Sequence, residues 1–250
     1  RSFNDWRFVL LVMIGSLAIF PDLGNATILF LVALLMYSIS GIAHRWFATI
    51  LGILTSVSFV SLTAIKLIGV DKFSKIPVFG YVAKRFSAFF NPFDDVAGAG
   101  HQLANSYYAM VNGGWFGLGL GNSIEKRGYL PEAHTDFVFS IVIEEFGFVG
   151  ASLILALLFF LILRIILVGV RAKDPFNSMV AIGIGGMILI QVFVNIGGIS
   201  GLIPSTGVTF PFLSQGGNSL LVLSVAIAFV LNIDASEKRA KLYSEYEAQL

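Results

Sequence analysis

Residues 129–137 read YLPEAHTDF and set Glu132, His134, Thr135 and Asp136 within five positions of one another. Carboxylates and an imidazole at this spacing suit proton transfer. Two carboxylates close together push one of them toward protonation, and partial burial acts the same way. A group tuned like that accepts a proton near neutral pH. Glu132 and Asp136 share a face if the stretch is helical. A structural account is equally open: Thr135 and Asp136 are good residues for the start of a helix, where a carboxylate meets the positive end of the dipole. One carboxylate can serve both ends.

Two further stretches invite chemistry. Gly117-Leu-Gly-Leu-Gly121 looks like a phosphate-cradling loop, but that motif needs a strand before it and a helix after it, and no strand pattern precedes it. Turn glycines that let two backbones approach closely are the better account. Asn195 to Ser219 mixes Gly, Pro, Ser, Thr and Asn into apolar sequence. Irregular backbone of this kind is tolerated at membrane depth where protein buries it or where it lines a cavity.

The elements that must position these residues are apolar. Of 250 residues, 56% are hydrophobic and 12% charged, about half the charge of a soluble domain. That composition predicts an all-α polytopic membrane protein. Spans are expected over roughly 8–20, 23–42, 47–69, 137–169, 176–199 and 217–233, six in all, with Pro21 parting the first two. Lys and Arg in the short connections fall on one side if the helices alternate, which predicts cytoplasmic ends and outward-facing loops at 70–136 and 200–216. The division is then a membrane domain over 1–233, with its extracellular loop at 70–136, and a charged tail over 234–250. Within the long loop, Val78, Tyr81, Val82, Phe86 and Phe89 recur at helical spacing beside Lys84 and Arg85, predicting an interfacial helix. Leu103, Tyr107, Met110 and Val111 predict a second. Glu144 and Glu145 fall inside a span, where they are expected to pair with a Lys or Arg, or to line a path. Net charge +1 excludes an electrostatic nucleic-acid partner, and the absence of cysteine excludes disulfides and thiol chemistry. No secretory leader pattern opens the chain, and a start on Arg-Ser reads as an internal piece of a longer protein.

At Pro21-Asp22-Leu23-Gly24, Phe90-Asn91-Pro92, Gly100-His101-Gln102, Gly119-Leu-Gly-Asn-Ser123, Leu130-Pro-Glu-Ala-His-Thr-Asp136-Phe137 and Pro211-Phe-Leu-Ser-Gln-Gly-Gly-Asn-Ser219, the chain resembles the SEDS family (shape, elongation, division and sporulation). It is closer to the division branch than to the elongation branch. Gln215 departs from the family's usual residue at its slot. The resemblance implies a ten-helix fold, of which six helices are visible here. It implies a peptidoglycan glycosyltransferase that polymerises lipid II at the division septum of the bacterial plasma membrane. The implied partners are a class B penicillin-binding protein, other divisome proteins and membrane lipid. Asp136 falls on the family's essential aspartate. Glu132, His134, Gln102, Pro211, Ser214, Gly216, Gly217 and Asn218 are the implied substrate contacts. Lys84, Arg85, Lys126 and Arg127 are candidates for the pyrophosphate, alone or with a divalent cation such as Mg or Mn. No nucleotide or organic cofactor is implied, because the donor arrives activated. A lipid II flippase and a non-catalytic divisome scaffold remain alternatives.

Overall fold

The computed structural model describes residues 23–39, 63, 80–98 and 100–247. All regular structure among them is helical. In chain order the helices are α1 (Leu23–Ile39), α2 (Gly80–Phe90), α3 (His101–Gly113), a 3₁₀ turn (Glu125–Arg127), α4 (Val138–Arg171), α5 (Pro175–Ile199) and α6 (Gly217–Glu247). α4, α5 and α6 are long and apolar enough to cross a membrane, and α1 is a shorter apolar helix. The spans expected over 8–20 and 47–69 lie outside the described residues, as do Pro21 and Asp22. Both helices expected in the long loop are present as α2 and α3. Between them Asn91 makes the anticipated turn, its side-chain amide donating to Asp94 at 2.6 Å. The stretch after Asp234 continues α6 as exposed helix, with Lys238–Asp234 and Lys241–Glu245 ion pairs at i, i+4 spacing.

The described residues fall into two compact units. One gathers α1, residues Ile154–Val192 and α6. Its seam is made by glycines of α5. A Cβ on Gly183 would lie 2.7 Å from Met36 Sδ, and one on Gly185 would lie 2.7 Å from Ile166 Cγ1. Small residues let helices approach where lipid supplies no hydrophobic drive for association.

The other unit holds α2, α3, the 3₁₀ turn, the first part of α4 and residues 193–215. Fully buried Ser106 and Ser140 share a 2.7 Å hydrogen bond that ties α3 to the start of α4. Phe139 stacks on Phe210 with ring centroids 4.7 Å apart and planes 5° from parallel. Such a pair contributes about 0.5–1.5 kcal/mol beyond its buried area.

α4 is broken at Gly147, which has φ 69° and ψ 179°. In an unbroken helix the amides of Phe148 and Val149 would donate to the carbonyls of Glu144 and Glu145. Here they donate instead to Gly114 O (2.9 Å) and Trp115 O (3.1 Å). The freed Glu144 and Glu145 carbonyls accept the amides of Leu118 and Gly119, both at 2.9 Å. The glycine loop is thus spliced into the helix, and Gly117 serves the close backbone approach that the sequence suggests for these glycines. A Cβ on Gly147 would run into the backbone of Trp115, Phe116 and Gly117, and one on Gly117 would lie 2.5 Å from Gly147 N.

Gly147→Ala adds both a disfavoured backbone angle and a clash with main chain that cannot rotate away. It should cost roughly 3 kcal/mol or more. Gly128→Ala, also at positive φ (110°) but with open space around it, should cost about 1 kcal/mol. Thermal unfolding in detergent checks the pair, and equal melting temperatures would contradict the splice.

Candidate functional site

Asp136 sits at the end of a turn over 131–137, just before α4 begins at Val138. The turn is not helical: Glu132 has φ 56°. Glu132 and Asp136 therefore do not stack as the helical reading requires. The Glu132 carboxylate instead accepts the Thr135 hydroxyl at 2.6 Å and is exposed.

Three successive carbonyls in this turn are held from outside it. His134 O accepts the Gln215 amide at 2.7 Å. Thr135 O accepts the Ser214 hydroxyl at 2.6 Å. Asp136 O accepts the Asn195 side-chain amide at 2.7 Å. Asn195, 3% exposed, donates also to Val208 O at 2.6 Å, so one buried amide bridges the two strips of chain. Ser214 in turn accepts the Phe210 amide at 2.7 Å, which closes the Pro211–Ser214 turn on itself. With its main chain laced, Asp136 projects a half-buried side chain into a narrow cleft shared with Asn195, Ser205, Thr206, Gly207 and Val208.

α2 delivers a cation to the same place. Arg85 Nη1 donates to Ser205 O. A Cβ on Gly207 would lie 3.1 Å from Arg85 Nη2 and 3.4 Å from Asp136 Oδ2, so guanidinium and carboxylate converge on this glycine. Its φ of 76° and the crowding explain why the position lacks a side chain. A carboxylate beside a guanidinium, in a cleft otherwise lined by amide, hydroxyl and backbone, can take a proton from a hydroxyl and hold an anionic group next to it.

A second polar cluster lies where the loop enters α4. Glu144 is fully buried. Its carboxylate accepts the Ser123 hydroxyl, the Ile124 amide (3.1 Å) and the Glu125 amide (3.4 Å) at the start of the 3₁₀ turn. Glu145 pairs with Lys126. Glu145 thus has the Lys partner that the sequence anticipates, whereas Glu144 takes a hydroxyl and backbone amides in place of a Lys or Arg. Glu125 is different: it is buried, and its Oε2 finds no hydrogen-bond partner. Burial first, then the nearby Glu144 charge, pushes its carboxyl above its ordinary 4.5, with His101 opposing.

The expected site residues therefore separate. Asp136 and Arg85 meet in the cleft. Ser214 and buried Pro211 belong to the turn that supports it, and His134 contributes its carbonyl while its side chain is exposed. Lys126 is committed to Glu145. Gln102 is half-buried on α3. Gly216, Gly217 and Asn218 open α6 in the other compact unit. The side chain of Lys84 lies outside the described residues. Asn195 and Gly207 lie in the 195–219 stretch that the sequence marks out, but neither is given a role of its own there, although an amide within the apolar run of α5 is the kind of residue that marks an internal contact. Among the described residues no three His, Cys, Asp or Glu side chains gather as metal ligands. Among the described residues Asp136 is the one carboxylate lining the cleft, so the chain offers a single carboxylate ligand there to an Mg or Mn ion whose other ligands would be substrate phosphates and water.

Long apolar helices bearing a laced carboxylate–guanidinium cleft at one helix end define an integral membrane protein with a polar working site. The chain belongs to the FtsW/RodA/SpoVE family of cell cycle proteins, whose pattern matches residues 1–239. It is 53% identical over 242 residues to the probable peptidoglycan glycosyltransferase FtsW of Lactococcus lactis, covering 97% of this chain and 58% of that protein. Over 215 residues it is 42% identical to the stage V sporulation protein E of Bacillus subtilis, covering 85% of this chain and 54% of that one. A solved structure described as a peptidoglycan synthase complex coordinating polymerization and crosslinking matches with TM-score 0.68 and 25% identity, over 92% of this chain and 60% of that chain. The Thermus thermophilus rod shape determining protein RodA shares the fold, with TM-score 0.55 and 24% identity, over 95% of this chain and 59% of that one. The chain thus spans a little over half the length of these relatives.

The raised carboxyl of Glu125 has a signed consequence. The folded state holds this proton more tightly than the unfolded state. Stability therefore falls as pH rises from about 4.5 through the raised folded value, and the loss persists above it. Glu125→Gln should raise the melting temperature at pH 7 and lose that advantage below pH 4.5. A pH series of melting curves for both proteins checks it, and a constant difference across the range would refute it.

Proposed function

We propose that this protein is a peptidoglycan glycosyltransferase of cell division, polymerising lipid II with Asp136 as general base. The observation that carries the reading is the convergence of Asp136 and Arg85 on Gly207, with the aspartate's main chain held from both sides. The 4-hydroxyl of an acceptor GlcNAc attacks the anomeric carbon of a donor MurNAc. A new C–O bond forms with inversion, and the bond to undecaprenyl pyrophosphate breaks. The hydroxyl proton passes to the Asp136 carboxylate, and the pyrophosphate leaves carrying the electron pair. Arg85 is the cation that the described residues bring to the cleft, and a planar guanidinium matches phosphate oxygens in pairs. As the pyrophosphate engages Arg85, the carboxylate gives up that neighbour and is left to take the proton.

The names of the relatives support the activity, and the described polymerization and crosslinking complex supports a class B penicillin-binding protein as partner. In this reading both ends are cytoplasmic, the cleft faces outward, and the protein works at the septum with other divisome proteins. The flippase alternative drew part of its support from Glu144 and Glu145 as mid-span charges. Glu144 is committed to Ser123 and backbone amides and Glu145 to Lys126, so neither of these two acids is free to carry substrate.

The full-length protein, assayed for lipid II polymerisation with a partner that lacks its own glycosyltransferase activity, tests this directly. Asp136→Asn keeps the shape and should lower the rate by about 10²–10⁴-fold. Arg85→Lys should be impaired less than Arg85→Ala. Wild-type chain growth by Asp136→Asn would sink the base assignment and leave the residue a helix-end cap.

A further inference from the structure

The spliced loop carries its apolar side chains outward. Trp115 is 68% exposed, Phe116 83% and Leu120 76%. Three large apolar groups in water on so short a loop are costly, at roughly 25 cal/mol for each Å² left uncovered. Their surroundings indicate what covers them. Trp115 packs edge-on against Phe148, the first residue after the break, with centroids 5.6 Å apart. Phe148, Val149 and Leu153 are themselves exposed on the apolar part of α4. The loop's apolar surface is therefore continuous with that of a membrane-spanning helix.

Part of the loop backbone is also satisfied internally, as suits the edge of a dry layer. Backbone polar groups survive in hydrocarbon only when they are satisfied internally. The Gly114 and Trp115 carbonyls and the Leu118 and Gly119 amides are all used by α4. Gly117 donates to Gly113 O at 2.7 Å, and Leu118 O accepts the Asn122 side-chain amide at 3.0 Å. Depth follows from length and charge. Phe148 to Arg171 is 24 residues (171 − 148 + 1), about 36 Å of helix, which is enough to cross the ~30 Å hydrocarbon layer unaided. On the other side of the break come Glu144, Glu145 and Lys126, whose charges belong outside that layer.

We infer that the Trp115–Leu120 loop is a membrane anchor, seated at the hydrocarbon–headgroup boundary with Trp115, Phe116 and Leu120 against lipid. Aromatic rings of this kind concentrate at that depth. The bilayer then grips α4 at its break and fixes the level of everything hung from the loop, including the 3₁₀ turn capped by Glu144. The inference does not depend on what reaction the cleft performs.

The test uses the full-length protein in phosphatidylcholine vesicles, with every tryptophan except Trp115 replaced by Phe. Bromines near the glycerol end of the acyl chains should quench Trp115 fluorescence more than bromines near the methyl end, and aqueous iodide should quench little. Stronger quenching from the methyl end, efficient quenching by iodide, or no quenching by either reagent (a loop covered by protein) would each overturn the placement. If the tryptophan replacements prevent folding, Phe116→Cys in a cysteine-free background reads the same surface. A membrane-impermeant maleimide should label it at least tenfold more slowly than exposed Arg127→Cys, and equal rates would overturn the inference.

Discussion

The exchange of backbone hydrogen bonds at Gly147 is the constraint on which the rest of this unit depends. A helix that simply broke there would leave two carbonyls and two amides without partners, each costing about 1–3 kcal/mol when buried. The loop over 114–119 supplies all four. In return the loop, which has no regular structure of its own, acquires a fixed path. That path carries Ser123 and the amides of Ile124 and Glu125 onto the Glu144 carboxylate. It also places Lys126 on Glu145. The two acids lie three and two residues before Gly147, so helix, loop and charge cluster form one device. Removing Lys126 would strand the near-buried charge of Glu145.

The same logic of borrowed partners places Asp136. Its turn makes few bonds of its own and is held by residues far along the chain, Asn195 and the Ser214–Gln215 pair. The stacked Phe139–Phe210 rings bring those distant strips together. The Pro211–Ser214 turn therefore serves as a brace, with buried Pro211 stiffening it and Ser214 reaching the Thr135 carbonyl. Arg85 arrives from a third element and is oriented by the Ser205 carbonyl.

Much of this was legible in the sequence because membrane helices announce themselves by composition, and α2 and α3 by apolar residues at helical spacing. The polar cluster at 132–136 announced itself by contrast with its surroundings. What was not legible depends on backbone geometry that residue types underdetermine. Nothing in Phe146-Gly147-Phe148 distinguishes a spliced break from a helical glycine, and Gly117-Leu-Gly-Leu-Gly121 reveals only that tight approach is allowed. Asn195 was hidden because an amide in an apolar run has several possible partners, and its two carbonyl acceptors lie 59 and 13 positions away. Lys126 looked like a candidate for a pyrophosphate because its partner Glu145, 19 positions on, cannot be assigned without the loop's path.

Three kinds of carboxylate in one unit show why residue type alone could not identify the working acid. Glu144 and Glu145 are occupied by donors supplied from the loop, so their charges are spent on structure. Glu125 is buried with one oxygen unpartnered, a setting that favours its neutral form. Asp136 alone has a rigidly held main chain and a side chain opening on a cleft beside a cation. A general base must first be in the right place and only then have the right proton affinity. A displacement of about 1 Å can cost on the order of a hundredfold in rate. Three anchored carbonyls in a row restrict that displacement before any substrate arrives. The lacing of 134–136, more than the presence of a carboxylate, is what separates Asp136 from the other acids described in this unit.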